Sequence, residues 1–239
     1  MMALPKLNSA PKYELNIPST GSPVRYRPFL VKEEKNLMIA SESGDPKNIF
    51  RALIDTIGAC VESDLDTRKL TSFDVEYMFL QMRAKSVGES TKVGLKCTDC
   101  GTANEQIINL DEISVAVPEV ETLIQLTDAI SLEVSYPTFN SIIESGINEG
   151  NQEANTEQAF SLIRSCLRTI ITEEERINLS EVTKEEVQDF LDSMSSAQFE
   201  KIKAFVDGIP KLEHDVDFTC KNCGHENKLT IEGIANFLS

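Results

Sequence analysis

From Asp45 onward the apolar positions recur three and four residues apart, and Ile49, Phe50, Leu53, Ile54, Ile57 and Val61 fall on one helical face. Asp45-Pro46 supplies an N-cap followed by proline in the first turn, where a missing N–H costs nothing. The stretch before it, 29–41 (FLVKEEKNLMIAS), also has helical spacing and predicts the beginning of the folded body. A further helix is predicted from a Thr71 or Ser72 cap through Val75, Met78, Phe79 and Met82, stopping near Gly88. Its acids come first (Asp74, Glu76) and its bases last (Arg83, Lys85), which complements the helix dipole. At Thr91 the period changes to two. Val93, Leu95 and Cys97 alternate with polar residues and Ile107, Ile108 and Leu110 follow, predicting strand, tight knuckle, strand. Ile130, Leu132, Val134 and Tyr136 alternate again before Pro137 and predict another strand.

Asn148–Asn155 is polar without periodicity and predicts a loop. Three helical patterns follow it. The first covers about 156–171, with Phe160, Ile163, Leu167 and Ile170 on a face, and the run Thr172–Glu175 reads as a solvated helix end. The second opens on the capping box Thr183-Lys184-Glu185-Glu186 and runs to Met194. The third, 196–207, uses Phe199, Ile202, Phe205 and Val206 and stops at Gly208, with Pro210 just beyond. Val216, Phe218 and Cys220 then repeat the strand-knuckle pattern, followed by Leu229 and Ile231. At the other end, Pro5, Pro11, Pro18, Pro23 and Pro28 fix φ and remove donors, so residues 1–28 predict an extended arm with at most edge strands.

The strongest feature is an internal repeat. Residues 93–104 (VGLKCTDCGTAN) and 216–227 (VDFTCKNCGHEN) share the pattern apolar-x-apolar-x-Cys-x-x-Cys-Gly-x-x-Asn. Two residues between cysteines let a tight turn aim both thiolates at one metal. Gly101 and Gly224 supply the positive φ needed after the second cysteine. Cys97, Cys100, Cys220 and Cys223 together make the donor set of a closed tetrahedral site, one structural Zn2+ per chain, which leaves no coordination position for hydrolysis. The pairs are separated by Gly101 through Thr219, 119 residues, against roughly 15–20 in a compact ribbon. Closing so long a loop costs entropy that grows only logarithmically with length. Zinc binding worth on the order of 10–16 kcal/mol in finger peptides exceeds that cost.

Other uses of these cysteines are a thioredoxin-like redox pair, which needs a βαβ context, an iron–sulfur cluster, or a degenerate site without metal. His225 could replace a cysteine but is read as a knuckle surface residue, and His214 as solvent-exposed or simply hydrogen-bonded. Cys60 and Cys166 lie in amphipathic patterns, where free cysteine packs as a small apolar residue.

The expected fold class is therefore α+β: a mostly helical body with a four-cysteine zinc ribbon of short antiparallel strands, split by a helical insertion. Its expected parts are an arm (1–28), an N-terminal helical region (29–89), a first half-ribbon (90–118), a strand plus helical insertion (119–211) and a second half-ribbon (212–239).

Composition narrows the partners. The 239 residues include 23 basic against 39 acidic side chains, a formal charge of −16. Such a field repels phosphates and anionic membranes. The knuckles share it: Lys92 and Lys96 face Asp99, Glu105, Asp111 and Glu112, while Lys211, Lys221 and Lys228 face Glu213, Asp215, Asp217, Glu226 and Glu232. A ribbon that grips nucleic acid is basic and often aromatic. No apolar run approaches the roughly 20 residues of a membrane span, nor does the N-terminus carry a signal-peptide stretch. The expected setting is a reducing cytoplasm, with thiols or metal ligands in place of disulfides. Two histidines, no GxSxG elbow, no phosphate-cradling glycine loop and no HExxH leave no catalytic constellation to single out.

The stretch LPKLNSAPKYELNIPSTGSPVRYRPFLVKEEKNLMIA (4–40), the segment Ser131–Phe139 and the two CxxCG knuckles resemble the baseplate hub assembly proteins of T-even-like bacteriophages. The resemblance covers most of the chain, with Asn148–Asn155 the least characteristic part. It implies a non-catalytic tail-assembly protein, either a hub component or an assembly chaperone, that binds hub proteins in the infected cell's cytoplasm or within the baseplate. The alternatives are a zinc-ribbon nucleic-acid-binding or transcription factor, and a CxxC redox enzyme.

Overall fold

Leu15, Ile17, Val24 and Tyr26 alternate with exposed neighbours and bury one face of a short hairpin in the computed structural model, which describes residues 11–145 and 156–237. Its strands are β1 (Tyr13–Asn16) and β2 (Pro23–Tyr26), and Pro23 takes the first strand position, where no ladder donor is needed. The connecting turn is closed by the Ile17 N–H on Ser22 O, with Gly21 at φ 66°. Among the described residues, then, part of the proline-bearing stretch pairs with itself. The expected Asn148–Asn155 loop and the first ten residues lie outside the described residues.

The chain divides into two compact units. In the first, which comprises 1–67, 73–115 and 212–239, α1 (Val31–Glu42) and α2 (Pro46–Cys60) precede α3 (Ser72–Ser86). Asp45 caps α2 as its sequence predicts, its Oδ1 accepting the Lys47 N–H at 2.9 Å. Leu53, Ile57 and Cys60 are buried along the α2 face. The helix α3 is the most extensively buried helix of this unit. Besides the predicted Val75, Met78, Phe79 and Met82, it buries Phe73, Asp74, Glu76, Leu80 and Gln81, so it is enclosed on more than one face. Ser19, in the hairpin turn, donates its N–H and hydroxyl to Asp74 at 2.8 and 2.7 Å. Phe29 stacks on Phe79, and Gln81 Nε2 donates to Leu110 O.

Two further hairpins complete this unit. Strands β3 (Ser90–Lys96) and β4 (Ala103–Asn109) pair antiparallel, as do two later strands at Glu213–Thr219 and Glu226–Glu232. Their registers coincide position for position: Lys96 faces Ala103 at one tip, and Thr219 faces Glu226 at the other. The bases match as well, with Leu110 N–H on Glu89 O and Gly233 N–H on Leu212 O.

The second unit comprises 68–72 and 116–211. A four-stranded antiparallel sheet runs in order through β5 (Leu123–Gln125), β6 (Ser131–Val134), β7 (Leu167–Ile171) and β8 (Arg176–Asn178). The helices α4 (Phe139–Ser145), α5 (Thr156–Cys166), α6 (Lys184–Asp192) and α7 (Ser196–Asp207) belong to the same unit, and the last of the strands above are numbered β9 and β10. Leu132, Val134, Ile163, Leu167, Ile170, Val187, Leu191, Ile202 and Phe205 form one core, with Tyr136 stacked on Phe205 and Phe160 on Phe199. The Thr183 capping box is present, with Glu186 returning to the Thr183 N–H, and Ser195 with Gln198 builds another at α7.

The α+β class holds, but a mostly helical body overstates the helix: the described residues include seven helices and ten strands in small antiparallel sheets. The expected 156–171 helix ends at Cys166. Leu167-Arg168-Thr169-Ile170-Ile171 is β-branched toward its end and finds partners on both sides, β6 and β8, so strand prevails over the helical spacing. Thr172–Glu175 is consequently a hairpin turn, closed by the Thr172 N–H on Glu175 O, rather than a helix end. Among the described residues no helix is long and apolar enough to cross a membrane.

Candidate metal centre

Each CxxCG turn sits at the tip of its hairpin and is built the same way. The N–H of the first cysteine returns to the residue after the glycine (Cys97 to Thr102 O, Cys220 to His225 O, 2.9 and 2.8 Å). The glycine N–H returns to the first cysteine's carbonyl, 3.0 Å in both. Gly101 and Gly224 stand at φ 71° and 73°, the left-handed conformation that the turn requires. A methyl group added at either would meet nothing within 4 Å, so alanine there is opposed by the backbone alone. Gly101→Ala and Gly224→Ala should each cost about 1–2 kcal/mol, and asparagine, which tolerates this region better, should cost less. Equilibrium urea unfolding of the metal-loaded protein measures both.

The two tips face each other. Cys97 Sγ lies 3.7 Å from Cys223 Sγ, and Cys100 Sγ 3.6 Å from Cys220 Sγ, with all four sulfurs within 4.8 Å of one another. These separations exclude disulfides, whose sulfurs stand about 2.05 Å apart. Four sulfurs around one ion at about 2.3 Å would be about 3.8 Å apart by tetrahedral geometry, close to what is observed. The donors around them favour thiolate. Asn222 N–H points to Cys220 Sγ, Thr102 Oγ1 lies 3.2 Å from Cys100 Sγ, and Asn222 Nδ2 points to the same sulfur. The Thr102 hydroxyl first, then the Thr102 N–H, Asn222 and Cys223, draw the Cys100 thiol down to about 6. At Cys223 the His225 N–H works the same way but is outweighed by Cys100, burial, Cys220 and Cys97, which push that thiol up to about 12. Hydrogen-bond donors thus favour thiolate at Cys100 while the neighbouring thiols oppose it at Cys223, and a cation among the four sulfurs favours thiolate at all of them. The four cysteines can hold a metal ion.

The pattern's last position is one whose role the sequence did not disclose. Asn104 and Asn227 are each 2% exposed, and each reaches across to the other hairpin. Asn104 Oδ1 accepts the Lys221 N–H at 2.9 Å, and Asn227 Oδ1 accepts the Thr98 N–H at 2.8 Å. Their Nδ2 groups lie 3.6 Å from Cys220 Sγ and Cys97 Sγ respectively. The signal was in the repeat: the same polar residue at the same offset after both cysteine pairs.

The remaining candidates lie elsewhere. His225 is exposed and enters the knuckle through its backbone, and His214 sits within β9 opposite Ile231. Cys60 and Cys166 are buried, and burial pushes their thiols up to about 11 and about 12, as suits cysteine used as an apolar residue.

The geometry thus defines an acidic α+β chain in which two matched cysteine hairpins, distant in sequence, close on one metal-competent cluster. The chain belongs to the family described as T4 bacteriophage base plate protein, whose model matches residues 10–239, and so to the baseplate proteins of T4-like phages. No curated protein and no solved structure matches it.

Proposed function

We propose that this baseplate protein is a non-catalytic component or assembly factor of the baseplate hub that acts through protein–protein contacts and is stapled by one structural zinc ion. Membership of the baseplate family carries the assembly role. For zinc, the supporting observation is the set of sulfur separations, 3.6 and 3.7 Å across the knuckles. A single tetrahedral ion fits them, whereas a cluster of several irons places sulfide-bridged metals between its cysteines and spreads them farther. Cys97, Cys100, Cys220 and Cys223 are its ligands, and no position is left open for substrate. Surface for a partner exists on α1, where Val31, Met38 and Ile39 are 77, 58 and 54% exposed, apolar area of the kind a protein partner covers. The charge of −16 disfavours nucleic acid and anionic membrane as that partner. The working setting is the cytoplasm of the infected cell, and the tail baseplate for a retained component.

The test is an affinity pull-down of tagged protein from infected cells, with mass spectrometry of co-purifying chains and of purified virions. Baseplate hub proteins are the expected catch, and presence or absence in the virion separates component from assembly factor. Recovery of polymerase subunits or nucleic acid without tail proteins would overturn the assembly role.

A further inference from the structure

We propose that Asn104 and Asn227 are reciprocal positioning residues of the metal site, each donating a side-chain N–H to a metal-bound sulfur held by the opposite hairpin. This rests on the zinc reading above and adds to it residues that are not ligands.

Each carboxamide is tied at both ends. Asn104 Nδ2 donates to Thr102 O of its own turn at 2.8 Å and is 3.6 Å from Cys220 Sγ, while its Oδ1 accepts from Lys221 N–H. Asn227 Nδ2 donates to His225 O at 3.0 Å and is 3.6 Å from Cys97 Sγ, while its Oδ1 accepts from the Thr98 N–H and hydroxyl. The oxygen assignment is fixed by these partners: backbone N–H groups can only donate, and carbonyls can only accept. Nδ2 is thereby the atom left facing the sulfur. With both side chains buried, their polar atoms have these groups and no solvent to turn to.

The chemistry needs such donors. Four thiolates around a dication leave a net charge of −2 on the centre, inside a chain already at −16. Hydrogen bonds to sulfur spread that charge and hold each ligand at its angle. Backbone N–H groups within a CxxC turn serve their own knuckle. Asn104 and Asn227 differ because their donation crosses between hairpins, as that of the exposed Asn222 to Cys100 also does, and because both are buried and anchored, so metal affinity and hairpin docking become one property. Neither half then forms a high-affinity site alone.

The test compares zinc release to a chromophoric chelator from the full chain and from Asn104→Ala, Asn227→Ala, Asn104→Asp and Asn227→Asp. Each alanine variant should release zinc roughly 10-fold faster or more. Aspartate retains the oxygen that accepts Lys221 or Thr98 N–H but lacks the donor and puts negative charge against a thiolate, so it should release zinc faster still. A clasp that only docked the hairpins predicts the reverse order, aspartate holding zinc better than alanine, and that order would overturn the proposal. A second measurement uses the unaltered sequence. In protein loaded with NMR-active cadmium, the side-chain amide protons of Asn104 and Asn227 should show scalar coupling to the metal through N–H···S. Coupling seen to the four cysteines but to neither asparagine would also overturn it. An unaltered chain that takes up neither zinc nor cadmium would instead refute the metal reading itself.

Discussion

Stripping the metal, or replacing Cys97 or Cys220 by serine, is expected to abolish the cooperative unfolding of the first structural unit. The hairpins β3–β4 and β9–β10 enter that unit from distant parts of the chain, with 116–211 folded separately between them. Each is a two-stranded sheet of seven-residue strands, a form that is marginal on its own in water. What joins their tips is four sulfurs and the carboxamides of Asn104, Asn222 and Asn227. Zinc binding to comparable knuckles contributes about 10–16 kcal/mol, whereas a whole domain is stable by about 5–15 kcal/mol. Losing the ion therefore removes as much free energy as the fold has to spare. Cys97→Ser and Cys220→Ser lie on different hairpins, yet both should release the metal and destabilise the same unit. Metal content by elemental analysis and thermal unfolding with and without chelator make the check. Full metal retention in either variant would rule out a shared site, and an unchanged transition after chelation would show the ion to be dispensable to the fold.

What the sequence disclosed follows from how local each signal was. The CxxCG repeat places glycine at the one turn position with positive φ, and both knuckles carry it out over twelve consecutive residues. Asp45-Pro46 and Thr183–Glu186 are likewise complete within a single turn, and both helices begin there. The misses are where a distant partner decides. The strands β5 and β8 span three residues each, too few to show an alternation, and exist because β6 and β7 offer them edges. Leu167 and Ile170 keep helical spacing with Phe160 and Ile163, and only pairing on both sides turns them into strand. Asp74 and Glu76 carry acidic charge at a helix start, as a dipole would favour, but the structure buries both, and Asp74 binds Ser19 from 55 positions away. Asn104 and Asn227 are the instructive case: their spacing was visible, but their work lies on the opposite hairpin.

Arg27→Ala should cost the first unit about 3 kcal/mol at neutral pH, the low end of what breaking a buried ion pair costs. Arg27 follows β2 and ties three elements together. Its guanidinium donates to Pro28 O, to Ala59 O near the end of α2, and to Glu33 Oε1 in the first turn of α1 at 2.9 Å. Glu33, whose side chain is 5% exposed, also accepts the Leu30 N–H at 2.8 Å. Without Arg27 that carboxylate keeps only the Leu30 N–H and the exposed Lys32, 3.2 Å away, which is why the low end of the range applies. The pH dependence identifies the mechanism. Burial pushes the Glu33 carboxyl up, but the bonds from Arg27, Leu30 and Lys32 outweigh it and hold the group below its ordinary 4.5. A carboxyl lowered in the folded state contributes stability that is complete above its unfolded value and fades as pH falls through the folded one. In Arg27→Ala burial has less opposition, the Glu33 carboxyl rises, and protonation now relieves the buried charge. The deficit of the variant relative to the unaltered protein should therefore shrink on acidification toward pH 4.5 and below. Replacing both partners, Arg27→Met with Glu33→Met, should recover much of the loss at neutral pH, because the unpaired charge is gone. Denaturant unfolding across that pH range measures all three, and a deficit that stayed constant with pH would assign the loss to Arg27's carbonyl contacts instead.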